Sequence, residues 1–104
     1  MANAIYYVSF KLKKGASEQD FLLAAQRLSD EFISKQKGFI SWQQVVDGET
    51  WADIATFETM DDLKNFKELS KTPGEAALAF YSFINLPSCK EHIFSEIKKH
   101  KPSS

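Results

Sequence analysis

An α+β domain with the element order strand, helix, strand, strand, helix, strand is what this sequence predicts, and three observations predict it. Residues 39–57 read as one continuous hairpin, apolar residues alternate along residues 5–13, and Ser17 and Thr59 each open an apolar stripe of helical spacing. Period two marks the strands and period 3.6 the helices, so the switches between them lay out the element order.

Strand one covers residues 5–13, with Tyr6, Val8, Phe10 and Leu12 on one side and Ile5, Tyr7, Ser9 and Lys11 on the other. Gly15 ends it. Ser17, with Asp20 three residues later, resembles a capping box that opens a helix running to about Lys37, with Phe21, Ala25, Leu28 and Phe32 as its buried stripe. Gly38 stands where a helix commonly stops. Asp47-Gly48 is expected as a tight turn between strands 39–46 and 50–57, both rich in β-branched and aromatic residues. An even-length turn puts Ile40, Trp42, Gln44 and Val46 on the same side of the sheet as Trp51, Asp53, Ala55 and Phe57.

Thr59 and Asp62 repeat the cap pattern ahead of a short helix with Leu63, Phe66 and Leu69 inside. Thr72-Pro73-Gly74-Glu75 reads as the start of an extra helix, with Pro73 at its first position, leading into Ala76, Ala77, Phe80 and Ile84. Asn85-Leu86-Pro87 is expected to close it. Residues 88–97 then form the fourth strand, although their weaker alternation also fits a helix. This order is the split βαβ arrangement of a ferredoxin-like fold, a four-stranded antiparallel sheet with its helices on one face. Both alternating sets of strands one to three contain large apolar groups, Ile5 and Tyr7 against Val8 and Phe10, Phe39 and Val45 against Ile40 and Trp42. A sheet open to water should show a polar outer face, so a second copy of the chain is expected to cover this one as a two-fold homodimer.

Length and charge narrow the function. The 104 residues make one domain, residues 1–97, with the basic residues 98–104 as a frayed tail. With 13 basic and 14 acidic side chains the net charge is −1, which provides no field for a phosphate backbone or an anionic membrane. Nucleic acid and membrane partners are therefore not expected. No stretch approaches the roughly 20 apolar residues of a membrane span, and the N-terminus has no signal-peptide pattern. Cys89 is alone, so no internal disulfide is possible and a reducing, cytoplasmic location is expected.

Asp53 is the leading catalytic candidate. A carboxylate among Trp51, Trp42 and Gln44 has its charged form disfavoured, which raises its pKa and lets it act as a general base near neutrality. The structural alternative is that it accepts indole N–H bonds and holds the hairpin in register. His92 is the second catalytic candidate, histidine being the side chain most easily poised near neutral pH. Trp42, Trp51, Gln44, Tyr81 and Tyr7 are the candidate ligand-binding residues, aromatic bodies with polar tips of the kind that line small-molecule pockets. Cys89 and His92 lie three apart, an odd spacing that places them on opposite faces of a strand, and no third ligand accompanies them, so no metal is expected. No phosphate loop, nucleophile elbow or paired-carboxylate signature is present, and no cofactor is expected.

Phe10-Lys11-Leu12-Lys13-Lys14-Gly15, Gly38-Phe39-Ile40-Ser41 and Asp47-Gly48-Glu49-Thr50-Trp51-Ala52-Asp53-Ile54, taken with residues 80–84 ahead of the last strand, resemble the antibiotic-biosynthesis-monooxygenase-like group of the dimeric α/β-barrel superfamily. Trp51-Ala52-Asp53-Ile54 is the most specific part. The resemblance implies two ferredoxin-like subunits packed sheet to sheet as a barrel, each with a small-molecule cleft between sheet and helices. It does not carry an activity, since that scaffold serves cofactor-free oxygenases, haem-degrading enzymes, isomerases and proteins without catalysis. Haem-degrading members resemble one another in a histidine on the second helix, and residues 60–71 contain none. Two readings stay open. One is a homodimeric small-molecule binder acting as a cofactor-independent, monooxygenase-like enzyme on an apolar or aromatic substrate, with Trp42 and Trp51 walling it in, Asp53 taking a proton, and Tyr81 or His92 orienting an oxygen. The other is a non-catalytic dimer that binds or senses a hydrophobic metabolite, or has a structural role.

Overall fold

Strand β1 (Ala4–Leu12), helix α1 (Glu18–Glu31), strands β2 (Phe39–Asp47) and β3 (Thr50–Phe57), helices α2 (Met60–Leu69) and α3 (Glu75–Tyr81), and strand β4 (Ile84–Ser95) follow one another in a computed structural model. It describes residues 2–103, so Met1 and Ser104, the ends of the expected domain and tail, lie outside the described residues. The sheet order is β2-β3-β1-β4 and every pairing is antiparallel, which is the ferredoxin-like arrangement. Residues 96–103 have no regular structure.

The helix starts follow their caps. Ser17 Oγ accepts from the Asp20 N–H at 3.2 Å and Thr59 Oγ1 from the Asp62 N–H at 3.0 Å, each satisfying an N–H that the first helical turn leaves free. Helix α1 ends at Glu31, earlier than Lys37, and a short 3₁₀ turn, Ile33–Lys35, covers half of the remainder. Phe32, expected in the stripe, becomes the C-cap and is half-buried. Gly38 has φ +78°, and a Cβ there would run into the Asp62 side chain, so glycine is required both for the turn and for the approach of α2.

Three strand details differ from the sequence expectation. Asp47 pairs with Thr50, so the two-residue turn is Gly48-Glu49 and not Asp47-Gly48; Gly48, at φ +61°, takes the first central position that favours glycine. A bulge between Phe39 and Ser41 makes Ile40 the extra residue and turns Phe39 inward, where its ring lies 6.1 Å from Phe57. Strand β4 begins at Ile84, so Ile84 is not part of α3 and Asn85-Leu86-Pro87 belongs to an irregular strand start. Pro87 is tolerated because β4 is an edge strand and the pairing jumps from Ser9↔Lys90 to Lys11↔Asn85 around it. Ser88 closes the gap by accepting from the Lys11 N–H at 2.8 Å while donating to the Asn85 carbonyl. Pro73 precedes α3, whose cap is Gly74.

The helices cover one face of the sheet. Phe21, fully buried, sits at the centre with the rings of Phe80, Trp51 and Phe10 at 5.0, 5.2 and 5.9 Å. Phe57 and Phe66, 5.1 Å apart, extend this aromatic layer beneath α2. Each such side chain contributes roughly 1.5–3 kcal/mol by leaving water. The opposite face carries Ile5, Tyr7, Val45, Ile54 and Phe94, with Phe94 49% exposed and Val45 41%. Helices cover nothing there.

Candidate functional site

Between the sheet and the helices lies a cavity of about 190 Å³, whose walls include Tyr6, Val8, Trp42, Asp53, Phe80 and Tyr81. Strand parity builds it. Val8 pairs with Asp53 and Asp53 with Gln44, while Tyr6 and Trp42 each pair with Ala55, so these side chains share the helix-covered face. Ala55 has no bulk of its own, and the space it leaves between larger neighbours opens into the cavity. Trp42 is held edge-on to Phe80, 5.7 Å away.

Asp53 is the one buried charged side chain among the described residues, 7% exposed. Burial removes water from its carboxylate and raises the pKa from 3.8 to about 7, although the Gln44 and Trp42 donors pull the other way. Gln44 Nε2 donates to Asp53 Oδ1 at 3.0 Å, the cross-strand contact that the two-residue turn fixes. Tyr81 and Cys89 feel the same carboxylate. For both, burial comes first and the Asp53 charge second in raising the pKa, so both stay protonated around it.

The opposite end of the cavity is polar. Tyr6 donates its hydroxyl proton to Glu91 Oε2 at 2.6 Å, and Lys67 of α2 closes on the other carboxylate oxygen. Partial burial works against the Glu91 charge, yet Lys67 and Tyr6 outweigh it and hold this carboxyl below its ordinary range. Burial and then the Glu91 bond push the Tyr6 hydroxyl well above the ordinary tyrosine range.

The structure therefore gathers Asp53, Gln44, Trp42 and Tyr81 at one site. Trp51 shares their face but packs into the core against Phe21, behind the cavity wall. Tyr7 and His92 do not join them. They pair with each other across β1 and β4 on the uncovered face, their rings 6.2 Å apart and Phe94 stacked 5.8 Å from His92. Neither reaches the cavity. The sequence reasoning missed Val8, Glu91 and Lys67, and it weighed Tyr6 alongside Tyr7 and Tyr81 as a tyrosine able to point its hydroxyl into a cleft but kept only the other two as candidates. The alternation of β1 already grouped Tyr6 with Val8, and Glu91 stands two residues from Cys89 on the same face, but nothing local links either to Lys67. Among the described residues, no three His, Cys, Asp or Glu side chains converge to hold a metal ion.

No protein-family model and no curated protein matches the chain. Solved structures do. SnoaB, a cofactor-independent oxygenase from Streptomyces nogalater, is similar with a TM-score of 0.74 at 14% identity, over 99% of this chain and 100% of that one. The monooxygenase ActVA-Orf6 of Streptomyces coelicolor, solved with nanaomycin D, gives 0.69 at 14% identity, over 98% and 94%. A Nitrosomonas europaea protein of unknown function, NE2512, gives 0.67 at 17%, over 100% and 98%. Likeness at this level of identity speaks for the backbone, and on that ground this chain has the ferredoxin-like fold of the antibiotic-biosynthesis-monooxygenase-like proteins.

Proposed function

We propose that the protein is a homodimer that binds a small apolar, aromatic molecule between sheet and helices and acts on it as a cofactor-independent, monooxygenase-like enzyme. The observation that carries this reading is the Asp53 carboxylate, buried at the wall of an otherwise largely apolar cavity and brought to a pKa of about 7. A base of that strength accepts a proton from an acidic phenol or enol at neutral pH. The anion so formed is the electron donor for dioxygen: one oxygen atom enters the ring and the other leaves as water with the hydroxyl and ring hydrogens, so that the substrate, passing from phenol to quinone, supplies all four electrons, while apolar walls keep bulk water from quenching the anion. Trp42 and Phe80 flank the ring, Gln44 holds Asp53 in line, and the Tyr81 hydroxyl orients an oxygen of the substrate. His92 has no part in this scheme. Its place, with Tyr7, is the face where a second copy would sit. Four strands about 4.8 Å apart and about eight residues long give that face roughly 500 Å², and its apolar part, Ile5, Tyr7, Val45, Ile54 and Phe94, is a contiguous patch of the kind that marks an interaction surface.

Asp53→Asn tests the reading, because Asn still accepts the Gln44 bond while losing the base. Oxygen uptake with a panel of phenols and naphthols that bind the wild type should fall about 10²–10⁴-fold in the variant, with binding retained. An unchanged rate overturns the role of Asp53. A wild type that binds these ligands and consumes no oxygen is instead the non-catalytic binder.

A further inference from the structure

A second cavity, of about 220 Å³, lies against the first. It opens between α1 and the start of α3, and its rim carries Arg27, Glu31, Thr72 and Glu75. Leu28, Ile33, Phe66 and Tyr81 line both chambers and so form the wall between them. The first three are locked in the core at 4, 6 and 7% exposure. Tyr81 differs. It is half-buried, it ends α3 next to the Ser82-Phe83 turn, and among the described residues no hydrogen bond contributes to the environment of its hydroxyl.

The volumes bear on ligand size. A cavity of about 150 Å³ holds a single benzene ring, whereas sites for drug-sized ligands run from about 300 Å³ upward. Each chamber alone falls short of that lower bound, and the two together pass it. Their linings are also unlike. The inner chamber holds Asp53. The outer one has an apolar floor of Phe32, Ala76 and Ala77 beneath a charged rim, where Arg27 is engaged by Glu31 at 2.8 Å and approached by Glu75 at 3.8 Å. Two carboxylates on one guanidinium leave no spare positive charge, so the rim offers nothing to an anionic group.

We propose that the outer chamber is a second binding subsite, continuous with the first through Tyr81, and that it takes the uncharged apolar extension of an elongated substrate whose reacting ring lies beside Asp53. Tyr81 is then the residue that sets ligand length, turning aside for a long ligand and closing the wall behind a short one. This rests on the function proposed above and adds the shape of the substrate.

The test uses 4-ethylphenol, 4-butylphenol and 4-octylphenol as probes, with Kd read by quenching of tryptophan fluorescence. A buried methylene is worth about 0.8 kcal/mol, about fourfold in Kd, so the ratio of the ethyl to the octyl Kd reports how much tail is enclosed. Wild-type protein should show a ratio of at least about tenfold. Tyr81→Ala, which removes the partition, should raise the ratio by about another tenfold. Thr72→Trp, which narrows the outer chamber from its rim without touching the core, should bring it down to about threefold or less. Should Tyr81→Ala fail to fold, Thr72→Trp decides alone. A ratio that neither variant alters overturns the subsite. Ethylphenol binding with Asp53-dependent turnover alongside that result would leave the proposed chemistry standing, whereas a wild type that binds no phenol of any length removes both.

Discussion

The two faces of the sheet carry similar residue types in different surroundings. On the covered face Trp42, Tyr81 and Asp53 meet around a cavity; on the uncovered face Tyr7, Phe94 and His92 stack against one another in the open. Each set has aromatic bodies around one acid–base candidate, Asp53 on one face and His92 on the other. What separates them is the layer of helices over one and not the other. Desolvation brings Asp53 to about 7, and only the covered face supplies it. Residue type nominates a site, and burial decides whether the nominee has unusual chemistry.

The contrast predicts opposite responses to disruption. Phe21→Ala on the covered face empties the centre of the aromatic layer and should cost about 3–5 kcal/mol in denaturant unfolding. Ile54→Lys with Phe94→Lys on the other face should leave the fold in place while shifting sedimentation from a dimer to a species of 11.8 kDa. If the native chain already sediments at 11.8 kDa, the uncovered face has no second copy and the homodimer is lost.

Acidity sharpens the same comparison. Asp53 holds its proton more tightly in the folded state than in the unfolded chain, so ionisation works against folding. The Asp53 contribution to stability should be largest below about pH 4, fall as pH rises to about 7, and level off beyond, opposite in sign to that of Glu91, whose lowered pKa withdraws stability as pH falls. The rise of the Asp53 pKa corresponds to up to roughly 4 kcal/mol over that window. In Asp53→Asn this component disappears, so the variant should unfold at higher denaturant than the wild type at pH 8. A change in stability between about pH 5 and pH 8 that is the same in wild type and Asp53→Asn would show that Asp53 is better solvated than its position indicates.

Local signals made most of this fold legible. Ser17 and Thr59 cap their helices because a cap is decided within four residues, and Gln44 shares a face with Asp53 because strand parity needs only an even turn. What escaped depends on partners distant in the chain. The Ile40 bulge exists because Phe39 has a place beside Phe57, and Leu86 and Pro87 enter β4 because Ser88 can bond to Lys11. Tyr7 was separable in principle, since alternation puts it opposite Tyr6, but which set faces the helices is settled by packing alone. The Tyr6–Glu91–Lys67 cluster joins three elements and leaves no mark at any one spacing.

The smallest expected effect concerns Gln44, whose hydrogen bond at 3.0 Å is the nearest support for the Asp53 charge. Replacing it with leucine keeps the bulk beside Trp42 and removes the donor. A hydrogen bond to a charged group is worth about 1.5 kcal/mol at the low end, about tenfold in proton affinity. Because that bond favours the ionised carboxylate, its loss should move the rising limb of the pH–activity profile upward by about one pH unit. A Gln44 that only keeps β2 and β3 in register would lower stability in Gln44→Leu and leave the midpoint where it was. The pH midpoint thus separates a residue that tunes Asp53 from one that merely stands next to it, which is the distinction the two sheet faces pose for the whole molecule.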